Sequence, residues 1–62
     1  MTNQLDLFEV LPDGAPLWRA SVVGHESAIN KLRELSAQTT NEVRVIDLRT
    51  NTTIAALNTT ES

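Results

Sequence analysis

Residues 5–23 read LDLFEVLPDGAPLWRASVV, and this stretch predicts a β-hairpin. Strand-forming residues flank a three-residue turn, Pro12-Asp13-Gly14. Pro12 presets φ for the first central position, Asp13 suits the second, and Gly14 accepts the left-handed conformation that closes such a loop. The hairpin is the strongest local signal in the chain, and the predicted fold extends outward from it.

The register of this hairpin decides which side chains share a face of the sheet. If Leu11 and Ala15 flank the turn, Phe8 lies opposite Trp18. Because side chains alternate along a strand, one predicted face carries Phe8, Val10, Trp18, Ala20 and Val22. The other face carries Leu5, Leu7, Glu9, Leu17, Arg19, Ser21 and Val23. The first face is the more apolar, so we expect the helix to pack on Phe8, Trp18 and Val22.

A single helix is predicted over residues 25–38. Small or apolar side chains recur there at helical spacing, at Ala28, Ile29, Leu32, Leu35 and Ser36. Gly24 precedes the run as the N-cap, and Glu26 in the first turn complements the helix dipole. Asn41 is expected to end the helix in a left-handed conformation.

A second, weaker hairpin follows the helix. Residues 42–48 read EVRVIDL and residues 52–57 read TTIAAL, with Arg49-Thr50-Asn51 between them. Asn51 is expected in the left-handed position that closes this loop. The predicted cross-strand pairs are Val43 with Leu57, Val45 with Ala55, and Ile46 with Ile54. Both faces of this hairpin are partly apolar, so the pattern does not indicate which face meets the helix.

The order β-β-α-β-β predicts an α+β fold with a four-stranded, mainly antiparallel sheet and one helix packed on one face. A right-handed crossover from the second strand to the third passes most easily over the first strand, which gives the strand order 2-1-3-4. The chain is expected to form one small domain over residues 1–62. Its ordered core is expected at about 5–57, and residues 58–62 are expected to be a frayed tail.

Composition narrows the class of protein. The 62 residues include no Cys and one His, and the formal net charge is -3. The lack of Cys excludes disulfides and thiolate metal sites, and the negative charge disfavours binding to nucleic acid. No apolar run approaches the ~20 residues that span a bilayer, and no secretory signal is visible. We therefore expect a cytoplasmic protein whose partners include neither membranes nor nucleic acid.

His25 is the one candidate for a general base near neutral pH. Asp6, Asp13 and Asp47 are the acids that could orient it. A His at the first turn of a helix is ordinarily a solvated helix start, and the chain has neither a nucleophile elbow nor a glycine-rich phosphate loop. No catalytic residue, cofactor or metal site is therefore predicted, and a small hydrolase that uses His25 is kept as an alternative.

Four segments between Phe8 and Ala55 carry a resemblance to known proteins. They are VLPDG at residues 10–14, Leu17-Trp18-Arg19, Ser27-Ala28 and Val45-Ile46-Asp47. Together they resemble a group of small bacterial proteins of unknown function, which implies a β-β-α-β-β fold in a bacterial protein. Gly24 followed by Glu26 and Ala28 is also similar to the helix start in HicB-type antitoxins, which implies an inhibitor of a toxin enzyme. Neither resemblance supplies catalytic residues.

The expected function is that of a non-enzymatic protein-interaction module that docks to itself or to a partner protein. One helix covers one side of the sheet, so a homodimer is expected to bury the other side. The predicted contact residues are Leu5, Leu7, Leu17, Arg19 and Val23. Burying a few such side chains, at about 25 cal/mol per Å², would add several kcal/mol. The rival route is edge pairing through strand 52–57, which has no proline and no charge.

Overall fold

The computed structural model describes residues 4–59. Its elements, in chain order, are β1 (Gln4–Val10), β2 (Pro16–Val23), α1 (His25–Gln38), β3 (Glu42–Asp47) and β4 (Thr52–Leu57). The predicted β-β-α-β-β order is confirmed. In residues 4–59 no helix is long and apolar enough to cross a membrane.

The four strands form one sheet in the order β2-β1-β3-β4, and every neighbouring pair is antiparallel. This is the order that the crossover argument predicts. The two central strands, β1 and β3, come from different hairpins, and α1 passes from one edge of the sheet back to its middle. The α+β architecture with one helix against the sheet is thereby confirmed.

The first turn closes as its residue types predict. Gly14 has a φ of 90°, and its amide donates to the Leu11 carbonyl at 2.8 Å. The Leu11 amide donates to the Ala15 carbonyl at 2.9 Å, and Asp13 Oδ1 accepts from the Ala15 amide at 3.0 Å. The second turn places Asn51 at a φ of 56°, also as predicted.

The helix begins after Gly24, which has a φ of 95° and provides no side-chain cap, and Thr39 follows its last turn in an extended conformation. Its buried side chains are Ala28, Leu32 and Leu35. The prediction that Asn41 ends the helix in a left-handed conformation is wrong. Asn58 adopts that conformation instead, with a φ of 56°, after the end of β4.

The side chain of Asn58 links the end of β4 to the end of the helix. Its Nδ2 donates to the carbonyls of Ser36 at 3.0 Å, Thr39 at 2.9 Å and Asn41 at 3.3 Å. The last carbonyls of a helix have no partner within the helix, so this side chain satisfies groups that would otherwise need water. Asn58 falls in the predicted frayed tail but is held by three bonds, whereas residues 60–62 of that tail lie outside the described residues.

The core lies between α1 and one face of the sheet. Its buried members are Leu5, Leu7, Ala28, Leu32, Leu35, Val43 and Val45, with Ala20, Val22 and Ala55 packed against them. The prediction that the helix packs on Phe8 and Trp18 is therefore wrong, although Val22 does lie on the helix side. Leu5 and Leu7, predicted to lie on the free face, are under the helix.

A β-bulge in β2 is the physical reason for this error. Leu7 pairs with Ala20 but Phe8 pairs with Trp18, so Arg19 is an extra residue on the β2 side. Beyond the bulge, side chains of β2 exchange faces relative to a regular strand. Ala20 and Val22 thus join Leu7 on one face, and the predicted Phe8 face loses both of them.

A second bulge lies in β4. Val43 pairs with Leu57 and Val45 with Ala55, as predicted, but Ile46 pairs with Thr53. The predicted pair of Ile46 with Ile54 is therefore wrong, because Ile54 is the extra residue. The buried positions of β3 and Ala55 also settle which face of this hairpin meets the helix.

Candidate functional site

The side of the sheet away from α1 is covered by no other helix of the described chain. We call this side the open face. Strand alternation and the observed registers place thirteen side chains on it. They are Gln4, Asp6, Phe8, Val10, Pro16, Trp18, Ser21, Val23, Glu42, Arg44, Ile46, Thr53 and Ala56.

Trp18 is the most prominent side chain of the open face. It is 56% exposed and lies across from Phe8. Its indole Nε1 donates to Asp6 Oδ2 at 3.2 Å, and Ser21 Oγ donates to Asp6 Oδ1 at 3.3 Å. Gln4 Nε2 in turn donates to Ser21 Oγ at 2.7 Å. These bonds hold the indole ring in one orientation on the sheet surface while most of it stays in contact with solvent.

Both edges of the sheet are irregular. The extra residues of the two bulges, Arg19 and Ile54, lie in the two edge strands, β2 and β4. A bulge interrupts the row of free amides and carbonyls that another strand would need, and it increases the local twist. Pro16 removes a further donor at the start of β2. The edges are therefore poor templates for pairing with a further strand.

Glu9 forms a buried polar cluster on the helix side of the sheet. It is 5% exposed and accepts bonds from Arg19, from Thr39 Oγ1 at 2.9 Å and from Asn41 Nδ2 at 2.6 Å. One carboxylate thus links β1, β2 and the connection between α1 and β3. This cluster was not predicted from the sequence, although an acid on the same strand face as Leu5 and Leu7 indicates a buried polar contact.

The Glu9 cluster makes stability depend on pH in the acid range. Bonds from Asn41 and Thr39, followed by the bond and charge of Arg19, outweigh the effect of burial and hold the pKa of Glu9 below its ordinary value of about 4.5. The unfolded chain therefore takes up this proton first as pH falls. The stabilisation is complete above about pH 4.5 and is lost as pH falls through the lowered folded pKa.

We expect Glu9→Gln to flatten this acid dependence. Urea unfolding at several pH values below about 4.5 measures it, with Glu26→Gln, at an exposed helix position, as the control. Asp47, whose pKa is lowered mainly by its bond from Arg49, supplies the slope that remains in both variants. Equal slopes in the Glu9 and Glu26 variants would contradict the assignment.

His25, the candidate general base, is exposed at the first position of α1. Its side chain makes no hydrogen bond or ion pair with any residue from 4 to 59. The three acids considered with it are engaged elsewhere: Asp6 with Trp18, Asp13 with the Ala15 amide, and Asp47 with Arg49. The described chain also contains no group of three residues that could hold a metal ion.

The five predicted contact residues are dispersed by the fold. Leu5 and Leu7 are buried under α1, and Arg19 pairs with Glu9. Leu17 is 43% exposed but pairs with Glu9 across the strands, so it lies on the helix side. Val23 alone is both exposed and on the open face.

No protein-family model, no curated protein and no solved structure matches the chain. Of the two resemblances, only the implied β-β-α-β-β topology is shown by the structure. The bacterial group and the HicB-type antitoxins stay predictions. The open face is therefore the feature from which a function can be inferred.

Proposed function

We propose that this chain is a non-enzymatic protein-interaction module that forms a homodimer through the open face of its sheet. The observation that carries the proposal is the exposed indole of Trp18, which a bond to Asp6 holds on a sheet face that no helix of the described chain covers. Trp is the residue type most enriched at the centres of protein interfaces, because it offers a large rigid surface and one polar group.

The area required favours the open face over an edge. Stable interfaces bury about 800 Å² on each partner, which is roughly a fifth of the 4235 Å² that this chain exposes. A whole face of a two-layer protein is on that scale, whereas a single edge strand is much smaller. Because Trp18 is 56% exposed, its burial alone would remove on the order of 100 Å² from water.

The bulges in both edge strands support the same choice. Pairing through β4 would require a regular ladder, and Ile54 interrupts it. Strand β2 has the same defect at Arg19 and begins with Pro16. Contact through the open face needs no free backbone groups, so neither irregularity affects it.

Two lysine substitutions in β2 test the proposal. Trp18→Lys places a charge on the open face beside Asp6, and Leu17→Lys places the same charge one residue away, on the helix side beside Glu9. We expect sedimentation equilibrium to give a dimer for the natural chain and for Leu17→Lys, and a monomer for Trp18→Lys. The reason is that Trp18→Lys removes the apolar surface of the indole and places a charge where the partner would exclude water, whereas a charge at Leu17 stays in solvent.

Circular dichroism should show that both variants keep their secondary structure. A natural chain that sediments as one copy from micromolar to millimolar concentration would contradict the homodimer. A Trp18→Lys variant that stays dimeric would place the contact on another surface.

Two narrower predictions belong to this proposal. The cytoplasm is the expected compartment, and inhibition of a toxin enzyme is the role that the HicB-type resemblance implies. A module that works by docking also predicts that His25→Ala leaves its behaviour unchanged. Loss of a measured activity in that variant, with the fold intact, would favour the hydrolase alternative.

A further inference from the structure

The open face has a diagonal pattern at its centre. Phe8 pairs with Trp18 on one side and with Arg44 on the other, and Asp6 pairs with Ile46 one step along the strands. Trp18 and Phe8 therefore lie side by side in one row across the strands, and Ile46 lies in the next row, diagonal to Phe8. We call the line from Phe8 to Ile46 the apolar diagonal, and Trp18 extends the apolar surface beside Phe8. Asp6 lies on one side of it and Arg44 on the other.

The two charged groups have capacity for further bonds. Asp6 accepts from Trp18 at 3.2 Å and from Ser21 at 3.3 Å, and a carboxylate has about four acceptor positions. Arg44 donates through Nε to Glu42, and its two terminal nitrogens make no hydrogen bond with residues 4–59. The Arg44 side chain is partly exposed on the open face.

Two-fold symmetry predicts how two copies that carry this pattern would contact each other. In a two-fold dimer each contact occurs twice, with the roles of the subunits exchanged. An axis that runs between the two sheets along the apolar diagonal places apolar side chains against apolar side chains. The rotation about this axis also places Asp6 of each subunit opposite Arg44 of the other, so that a negative group faces a positive one. An axis along the line from Asp6 to Arg44 would instead bring like charges together, which is unfavourable.

We infer that the dimer has its two-fold axis along the apolar diagonal, with Asp6 of each subunit paired to the partner's Arg44. This inference rests on the proposed function, because it assumes that the open face is the contact. It goes further in naming the orientation and the two reciprocal ion pairs. The planar guanidinium can meet the carboxylate through its two free nitrogens, which suits a desolvated pair.

Charge exchange between subunits tests the orientation. Asp6→Arg leaves two positive groups facing each other at each pair, and Arg44→Asp leaves two negative ones. We expect each single variant to raise the dimer dissociation constant on the order of a hundredfold or more. An equimolar mixture of the two variants restores opposite charges at both pairs, so we expect it to form a heterodimer with recovered affinity.

Sedimentation equilibrium measures the three samples, and Arg33→Asp, on the exposed surface of α1, controls for the change in net charge. If the natural chain is a dimer and both single variants remain dimers, the orientation is wrong while the proposed function stands. If folded single variants are monomers and their mixture is also monomeric, the ion pairs are wrong. A monomeric natural chain would overturn the proposed function and this inference together.

Discussion

Replacing Leu7 with Ala is expected to lower the free energy of unfolding by about 2–5 kcal/mol. Leu7 is 0% exposed and lies in the core between the sheet and α1. The substitution removes three carbon atoms from the packed core. It leaves a cavity that the backbone of a central strand cannot move to fill. A loss of this size is a large part of the stability of a small domain.

Leu17→Ala is the matched control for this prediction. It is the same substitution in the neighbouring strand, at a side chain that is 43% exposed. We expect it to change the free energy of unfolding by less than about 1 kcal/mol. Urea denaturation of both variants, at a protein concentration held constant, measures the difference. Equal and small effects would show that Leu7 is not under the helix.

Replacing Asn58 with Asp is expected to cost about 1–3 kcal/mol of the free energy of unfolding. Aspartate has nearly the same shape but lacks the two amide donors that reach Ser36, Thr39 and Asn41. Its charge would also lie beside helix-terminal carbonyls, which carry the negative end of the dipole. The last turn of α1 and the end of β4 should therefore separate more readily.

Asn51→Asp provides the control for the backbone conformation. Asn51 has the same φ of 56° as Asn58, but its side chain donates no hydrogen bond to another described residue. The same substitution there tests only the preference of Asp for the left-handed region. Thermal unfolding of the two variants compares them, and a loss at Asn51 as large as that at Asn58 would contradict the capping role.

The elements and the strand order could be predicted from the sequence because they depend on local signals and on handedness. The turn at Gly14 and the loop at Asn51 each require a left-handed residue, and both residues are visible in the sequence. The order 2-1-3-4 follows from the preference of crossovers for one hand. These features can be predicted without knowing which side chains are in contact.

The faces of the sheet could not be predicted in the same way. A strand has a side-chain period of two, so one extra residue at Arg19 changes the face of every residue beyond it. Nothing in the residues around Arg19 indicates a bulge. The pairing of Phe8 with Trp18 was predicted correctly, yet the bulge decides that their face is the open one.

The partners of Glu9 could not be predicted from the sequence either. Its partners Thr39 and Asn41 are about thirty residues away in the chain, and they reach Glu9 because the end of α1 passes over β1. A buried acid indicates that partners exist, but their identity depends on the tertiary fold. The open face was missed for a related reason, since exposure of Trp18 follows from which side α1 occupies.

The bulged edges would also limit the size of the assembly that we propose. The two edges belong to different strands, so chains joined edge to edge would always leave one free edge at each end, and such growth continues into a fibre. Arg19 and Ile54 break the ladder at both ends of the sheet. A face-to-face contact across a two-fold axis buries the same surface on both chains. No copy of that surface is left to bind a third chain, so the assembly ends at the dimer.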